Sequence, residues 1–255
     1  MPLLSHAPRM SQEPAIVYED DLIIVVDKPA GMPSASLENG EDGTVAAWLA
    51  ARYPSQAKVG PDPRESGLVN RLDNDTSGLI VAARTDVVHA ELRRQFGEGL
   101  VRKRYLTLVI GAPQDRGVID APIAHHPRKA SKMIACESEA KSEELRGRPA
   151  HTSVEVLQRF LMEDSPYALI AVMMKTGMRH QIRVHLAYLG FPISGDRLYR
   201  NPKRREADPL SPPGHLLHSS KLTISHPGTG EALTLVSPMP IDFKGQLAKL
   251  GEAQR

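Results

Sequence analysis

Residues 70–83 read Asn70-Arg71-Leu72-Asp73-Asn74-Asp75-Thr76-Ser77-Gly78-Leu79-Ile80-Val81-Ala82-Ala83, a polar stretch running directly into an apolar one. The apolar part, Leu79–Ala83, reads as a buried strand. If the backbone ahead of it is extended, Arg71 and Asp73 share one side and Leu72 faces the other. An aspartate beside arginines stays ionised, because nearby positive charge favours the charged form. That suits a nucleophile or a base. An isolated Arg-x-Asp is far more often a structural ion pair at a strand edge, so its meaning rests on what surrounds it.

Working outward, Leu22–Asp27 reads as another short strand, stopped by Lys28-Pro29-Ala30-Gly31. Thr44 is placed to cap a helix bearing Val45, Trp48 and Leu49. After Ala83, Val88, Leu92 and Phe96 fall on one helical face. Tyr105–Ile110, Thr152–Leu157 and Ala168–Met174 are strand candidates, and Arg179–Leu189 is a helix with Gly190 at its stop. Two late strands, near Leu222–Ser225 and Ala232–Val236, flank a Pro-Gly turn. Strands outnumber helices without strict βαβ alternation, which predicts an α+β domain on a mixed, mostly antiparallel sheet with flanking helices. Residues 1–14, with three prolines, read as a flexible leader, 15–243 as one domain and 244–255 as a C-terminal tail. His125–Ala150 and Arg200–Gly214 read as exposed excursions.

Composition excludes more than it selects. The 255 residues are 41% hydrophobic and 24% charged, as in ordinary globular proteins. No apolar run reaches the roughly 20 residues of a membrane span, and the start lacks the apolar core of a secretory signal. With one cysteine, Cys136, there is neither an intrachain disulfide nor a zinc-type cysteine cluster. The cytoplasm is the expected compartment. A net charge of +2 does not announce nucleic acid, but basic residues bunch at Arg93–Arg94, Arg102–Arg104, Arg128–Lys132 and Arg197–Arg205, while acidic residues bunch at Glu137–Glu144. Such runs are usually solvated faces. These flank the motifs that follow, which favours an RNA-facing surface.

Six segments in order change the weight of Arg71-x-Asp73. They are Asp27–Gly31; Asn70–Gly78; Lys103-Arg104-Tyr105 opening a strand that Gly111 closes; Thr176-Gly177-Met178-Arg179-His180-Gln181-Ile182-Arg183-Val184-His185; Gly195-Asp196-x-x-Tyr199; and Leu217-His218 with His226-Pro227-x-x-Gly230. Together they resemble the RluA type of pseudouridine synthase, over nearly the whole chain from Ala15 to Phe243. The resemblance implies that Asp73 is the catalytic carboxylate, Tyr105 the ring that packs on the target base, and Arg183 the partner of Asp73. It also implies that Arg71 helps fill the gap left by a flipped nucleotide. Lys103 and Arg179 are further candidates for RNA contact.

Two positions depart from that pattern. Asn70 stands where the family usually has His. Met178-Arg179 stands where Arg precedes a small residue, so the guanidinium is displaced by about 100° on a helix. The implied reaction breaks the C1′–N1 bond of uridine, turns the uracil and rejoins it through C5, by attack at C1′, attack at C6 or a glycal route. It needs no cofactor. No metal site is expected either: His180 and His185 are five apart on a helix, off the i, i+4 ligand spacing, and His125–His126 reads as surface. The expected partner is structured RNA, tRNA or 23S ribosomal RNA, bound by a monomer without membrane attachment. An N-terminal S4-type module is not expected, because the first motif begins so early. Two competing readings are a non-catalytic RNA-binding protein, which retention of Asp73, Tyr105 and Arg183 disfavours, and a glycoside-cleaving enzyme. The latter needs two carboxylates across the bond, and Asp75 reads instead as a turn cap.

Overall fold

The computed structural model describes residues 13–36, 42–200 and 208–252. β1 (Ala15–Glu19) and β2 (Ile23–Lys28) form a hairpin. Its turn is fixed by Asp20, whose carboxylate accepts the N–H groups of Leu22 and Ile23 at 2.8 Å. Thr44 caps α1 (Val45–Arg52), accepting from the N–H of Ala47 as its position predicts. A single 3₁₀ turn over Pro54–Lys58 precedes β3 (Ser77–Ala83), which is buried throughout its length. Then come α2 (Asp86–Gly97), β4 (Arg102–Ile110), β5 (Arg116–Ile119), β6 (Ile123–His125), β7 (Met133–Ala135) and α3 (Glu139–Leu145). The long hairpin β8 (Thr152–Met162) and β9 (Ser165–Met174) leads to α4 (Gln181–Tyr188). β10 (Leu217–Ser225), β11 (Ala232–Val236), α5 (Ile241–Leu247) and β12 (Gly251–Glu252) follow.

The main sheet runs β1-β2-β3-β10-β4-β9-β8-β12, with β11 also beside β10 and β5 beside β8. It is mixed and mostly antiparallel, as the sequence predicts. Strand periodicity divides its two faces. Ile23, Val25, Leu79 and Val81 pack with Val88 and Leu92 of α2. Ile24, Val26, Ile80 and Ala82 pack with Val45 and Leu49 of α1 on the other side. Along β4, Tyr105 and Val109 meet Ile182 and Leu186 of α4, while Leu108 and Ile110 turn towards Phe243 of α5.

Among the described strands β3 and β10 alone pair in parallel, His218 opposite Ser77 and Ser219 opposite Gly78. This seam joins the two halves of the sheet directly behind the Asp73 loop. The backbones close so tightly that a Cβ on Gly78, whose φ is +110°, would stand 2.3 Å from the Ser219 carbonyl oxygen. His218 Nδ1 and the Ser77 hydroxyl share a hydrogen bond of 2.9 Å across the seam.

Four expectations are corrected. His125–Ala150 is largely exposed, as expected, but not patternless: β6 and β7 form a hairpin, α3 follows, and Ile123, Met133, Ala135 and Ala150 close a small core against Val184 of α4. Arg200–Gly214 lies partly outside the described residues, but its end is an anchor and not an excursion. Asp208 is buried, accepting from Tyr167 Oη at 2.8 Å and the Gly195 N–H at 2.7 Å. Residues 244–252, expected in a tail, complete α5 and add β12 to β8, with Leu250 buried. Finally, α4 begins at Gln181, because His180 has φ +56° in the left-handed region, so Arg179 stands outside the helix. The 1–12 part of the expected leader and the 201–207 part of the basic run lie outside the described residues.

Candidate active site

The Asp73 loop is held from both sides. Ahead of it, the Ser34 hydroxyl donates to the Leu72 carbonyl at 2.7 Å and accepts the Leu72 N–H at 2.9 Å. Behind it, the wholly buried Lys28 sends its ammonium to the carbonyls of Asn74 (2.8 Å), Met32 (2.6 Å) and Pro29 (3.0 Å). A buried ammonium needs such partners, since burying a charge alone is costly. The Asp73 carbonyl accepts the Thr76 N–H at 3.0 Å, and the Thr76 hydroxyl meets His215 Nε2 at 2.8 Å. Asn70, the departure from His, pins the next strand: it accepts the Val81 N–H at 2.9 Å and donates to the Leu79 carbonyl at 3.3 Å. Leu72 turns into the core, while Arg71 points to solvent, paired with Glu65 at 3.2 Å.

Arg183 Nη1 donates to Asp73 Oδ2 at 2.7 Å. The resemblance assigns this carboxylate to Arg183 and not to Arg179, and the structure pairs Asp73 with Arg183. Its remaining edge is occupied: Nε and Nη2 grip buried Asp196 at 2.7 and 3.0 Å. Asp196 also accepts the N–H groups of Leu198 and Tyr199 at 2.9 and 3.1 Å. Burial would raise the Asp196 pKa, but the hydrogen bond and charge of Arg183 outweigh it and hold it low. Burial likewise opposes the Arg183 charge, and its two carboxylate partners push its pKa up regardless. The guanidinium lies over the Tyr199 ring, 5.2 Å from its centroid.

His180 completes the surroundings of Asp73. Its Nε2 stands 3.7 Å from Asp73 Oδ1, and its Nδ1 is 2.7 Å from the Tyr199 hydroxyl, which also accepts the Met133 N–H. Burial, reinforced by Arg183 and Arg179, lowers the His180 pKa against the opposing pull of Asp73. Tyr105 is buried on the same side of β4 as Ile182 of α4. Burial, together with the charge of Asp73, pushes its phenol up to about 12, so it is a neutral ring at physiological pH. Arg71, Asp73, Tyr105 and Arg183 thus come from three separate segments of sequence. The two other candidates stand apart. Lys103 is buried, its ammonium spent on the Thr176 carbonyl at 3.1 Å, so it holds the Thr176–Gly177 loop and offers no charge to solvent. Arg179 is exposed and donates to the Ala130 carbonyl at 3.3 Å in the β6–β7 loop. Met178 packs against that hairpin's core.

Asp196, His180 and His215 were missed as site residues in the sequence. Asp196 and His180 lie inside motifs quoted above, but nothing in their spacing says that they meet Arg183 and Asp73. Burial with Arg183 nearby keeps His215 uncharged, its pKa lowered. Among the described residues no group of three or more His, Cys, Asp or Glu side chains is arranged to hold a metal ion.

Residues 22–188 match the family model of RNA pseudouridylate synthase. The ribosomal large subunit pseudouridine synthase D of Nitrosomonas europaea is 36% identical over 235 residues, covering 91% of this chain and 64% of that protein. The protein of the same name from Pseudomonas aeruginosa is 36% identical over 245 residues, covering 92% of this chain and 71% of its own length. This chain therefore spans about two thirds of the length of these relatives. The solved structure of human RNA Pseudouridylate Synthase Domain Containing 1 superposes with a TM-score of 0.74 at 26% identity, covering 97% of this chain and 92% of that one. The motif order, the sheet and these likenesses agree: the chain belongs to the RNA pseudouridylate synthase family, of the RluA type.

Proposed function

We propose that the protein isomerises uridine to pseudouridine in structured RNA, with Asp73 as the carboxylate that acts on the target nucleotide. The observation that carries this reading is the 2.7 Å pair between Asp73 and Arg183, beside the neutral ring of Tyr105. Arg183 takes Oδ2, while Oδ1 stands 3.7 Å from His180 Nε2. A uridine inside a helix has to be extruded first, at a cost of a few kcal/mol repaid by stacking and backbone contacts. Tyr105 offers a flat apolar face for the uracil. Exposed Arg71, paired with Glu65 at the surface, is the side chain that would enter the gap left in the RNA. The C1′–N1 bond then breaks, the uracil turns, and C5 joins C1′. The proton on C5 is lost and N1 gains one, so the sum is an isomerisation.

Large-subunit ribosomal RNA is the first substrate to test, because the two bacterial relatives are named for it; tRNA is the second. The experiment incubates purified protein with transcripts of both RNAs and maps pseudouridine by nucleotide. New pseudouridine at discrete positions, absent with Asp73→Asn, is expected. No new pseudouridine in either RNA would sink the proposal.

A further inference from the structure

We infer that the face of the sheet turned away from Asp73 carries a second RNA-binding surface. Arg102, Arg104 and Lys221 make it, and it holds the sugar-phosphate backbone of the substrate RNA outside the target stem. The choice of RNA as partner rests on the isomerase reading above; the surface itself rests on strand register.

β4 alternates its side chains between two faces. Lys103 and Tyr105 are buried on the side of α2 and α4, so Arg102 and Arg104 point to the other side. Farther along β4, α5 covers that other side over Leu108 and Ile110. At the Arg102 end it is open among the described residues. Arg102 and Lys221 are exposed, and Met173 and Val236 keep 47% and 58% of their surface in solvent.

Register decides which side chains are neighbours. Arg104 stands opposite Lys221 of β10 and Met173 of β9, Lys221 opposite Val236 of β11, and Met173 opposite Ser153 of β8. Five strands thus present a row without a carboxylate. In the next row Arg102 stands opposite Thr223, and Thr223 opposite Thr234, again without one. Like charges directly opposite each other destabilise a sheet, and diagonal neighbours about 7–8 Å apart are within reach of long side chains. None of the three cations forms an ion pair with a described carboxylate. Elsewhere the same sheet balances its charges: Arg116 of β5 stands opposite Glu155 of β8 and pairs with it at 2.8 Å. A solvated face ordinarily mixes signs in that way. Positive charge gathered on an open face suits a polyanion, and the planar fork of arginine matches phosphate.

The surface is also continuous with the site. The turn before β4 and the turn after β9 touch at the end of the sheet, where a Cβ on Gly99 would lie 3.2 Å from the Lys175 carbonyl oxygen. Exposed Lys175 stands on this rim, and the chain runs on from it to His180 beside Asp73. An RNA strand leaving the target uridine over this rim crosses Lys175 and then meets Arg102. Contacts of this kind position the RNA and read no sequence.

The test combines Arg102→Gln, Arg104→Gln and Lys221→Gln in the full chain and measures its affinity for a large-subunit ribosomal RNA transcript across a salt titration. The slope of log affinity against log salt should become shallower by about two, at about 0.7 for each single-strand phosphate contact. The Kd at physiological salt should rise by roughly tenfold or more. Single-turnover kcat at saturating RNA should match wild type, and thermal unfolding should be no lower, since crowded like charges have been removed. An unchanged salt slope overturns the proposal. So does an equal loss in a control carrying Lys58→Gln, Arg146→Asn and Lys249→Gln, because the effect would then follow net charge and not this face. Loss of binding to phosphatidylserine vesicles with RNA affinity intact would give the face to a membrane and overturns it too. Wild-type protein that forms no pseudouridine would remove the isomerase reading, while the binding comparison would still decide whether this face holds RNA.

Discussion

Asp196 occupies the Nε–Nη2 edge of Arg183, at 2.7 and 3.0 Å, and so dictates which nitrogen of that guanidinium is left for any other partner. Arg183 is thereby aimed: only Nη1 reaches Asp73. Replacing Arg183 with Met should depress kcat by about two orders of magnitude, the scale on which misplacing a catalytic group costs rate, with RNA affinity little changed. Arg179→Met should act mainly on binding, because its side chain is exposed and reaches only a loop carbonyl. Single-turnover rates for both on one RNA decide the matter; abolished chemistry in Arg179→Met alone would contradict the geometry.

Asp196→Asn keeps the shape but leaves the buried guanidinium one charge short. Breaking a buried pair in this way costs about 3–5 kcal/mol, so urea unfolding should shift by that order. The kcat should fall while KM for RNA holds. An unshifted unfolding midpoint would mean that Asp196 contributes nothing to holding Arg183.

Asp73→Asn removes the anionic group while nearly preserving volume. Isomerisation should vanish, with RNA binding and thermal unfolding close to wild type. Residual turnover within about tenfold of wild type, little more than 1 kcal/mol in barrier, would exclude Asp73 as the reacting carboxylate.

Acid should loosen the fold well before carboxylates titrate. Burial lowers the pKa of His180, His185, His215 and His218 below the ordinary histidine value of about 6.5. In each case the unfolded chain binds a proton that the folded chain refuses. The stability from keeping them neutral is therefore complete above pH 6.5 and is lost as the pH falls below it, by up to about 1.4 kcal/mol per pH unit for each histidine. Urea midpoints measured from pH 7.5 to 5 should drop steeply on the acid side. A flat profile would show that these histidines are charged in the fold.

Gly78→Ala should be among the most damaging single substitutions. Its Cβ would collide with the Ser219 carbonyl at 2.3 Å, and its φ of +110° strains any side chain. Backbone strain of this kind costs about 1–3 kcal/mol before the collision is counted. A soluble, fully active Gly78→Ala protein would mean the seam has more slack than the structure shows.

The sheet was legible because its strands carry unambiguous patterns: β3 is apolar throughout and α2 repeats its apolar residues at Val88, Leu92 and Phe96. The β6–β7 hairpin was not, because three-residue strands are too short for a period, and their core is closed by Val184 from far along the chain. Asp73 and Arg183 were found through motif order. The burial of Lys103 was not legible, because a lysine opening a strand gives no sign of which side its ammonium takes; in the structure it meets the Thr176 carbonyl. His180 escaped because its importance lies in a left-handed backbone angle, which no residue pattern announces.

The parallel seam has a consequence for the timing of synthesis. Asp73 leaves the ribosome 110 residues before Arg183, and Thr76 leaves 139 residues before His215. At about 5–20 residues per second, the carboxylate waits on the order of ten seconds for its partner. Gly78 has no Ser219 to close against until β10 has emerged. A nascent or prematurely terminated chain ending before that strand would carry the whole Asp73 loop and still be inert. The carboxylate proposed to react is thus translated early and meets its partner late, once most of the domain exists to confine it.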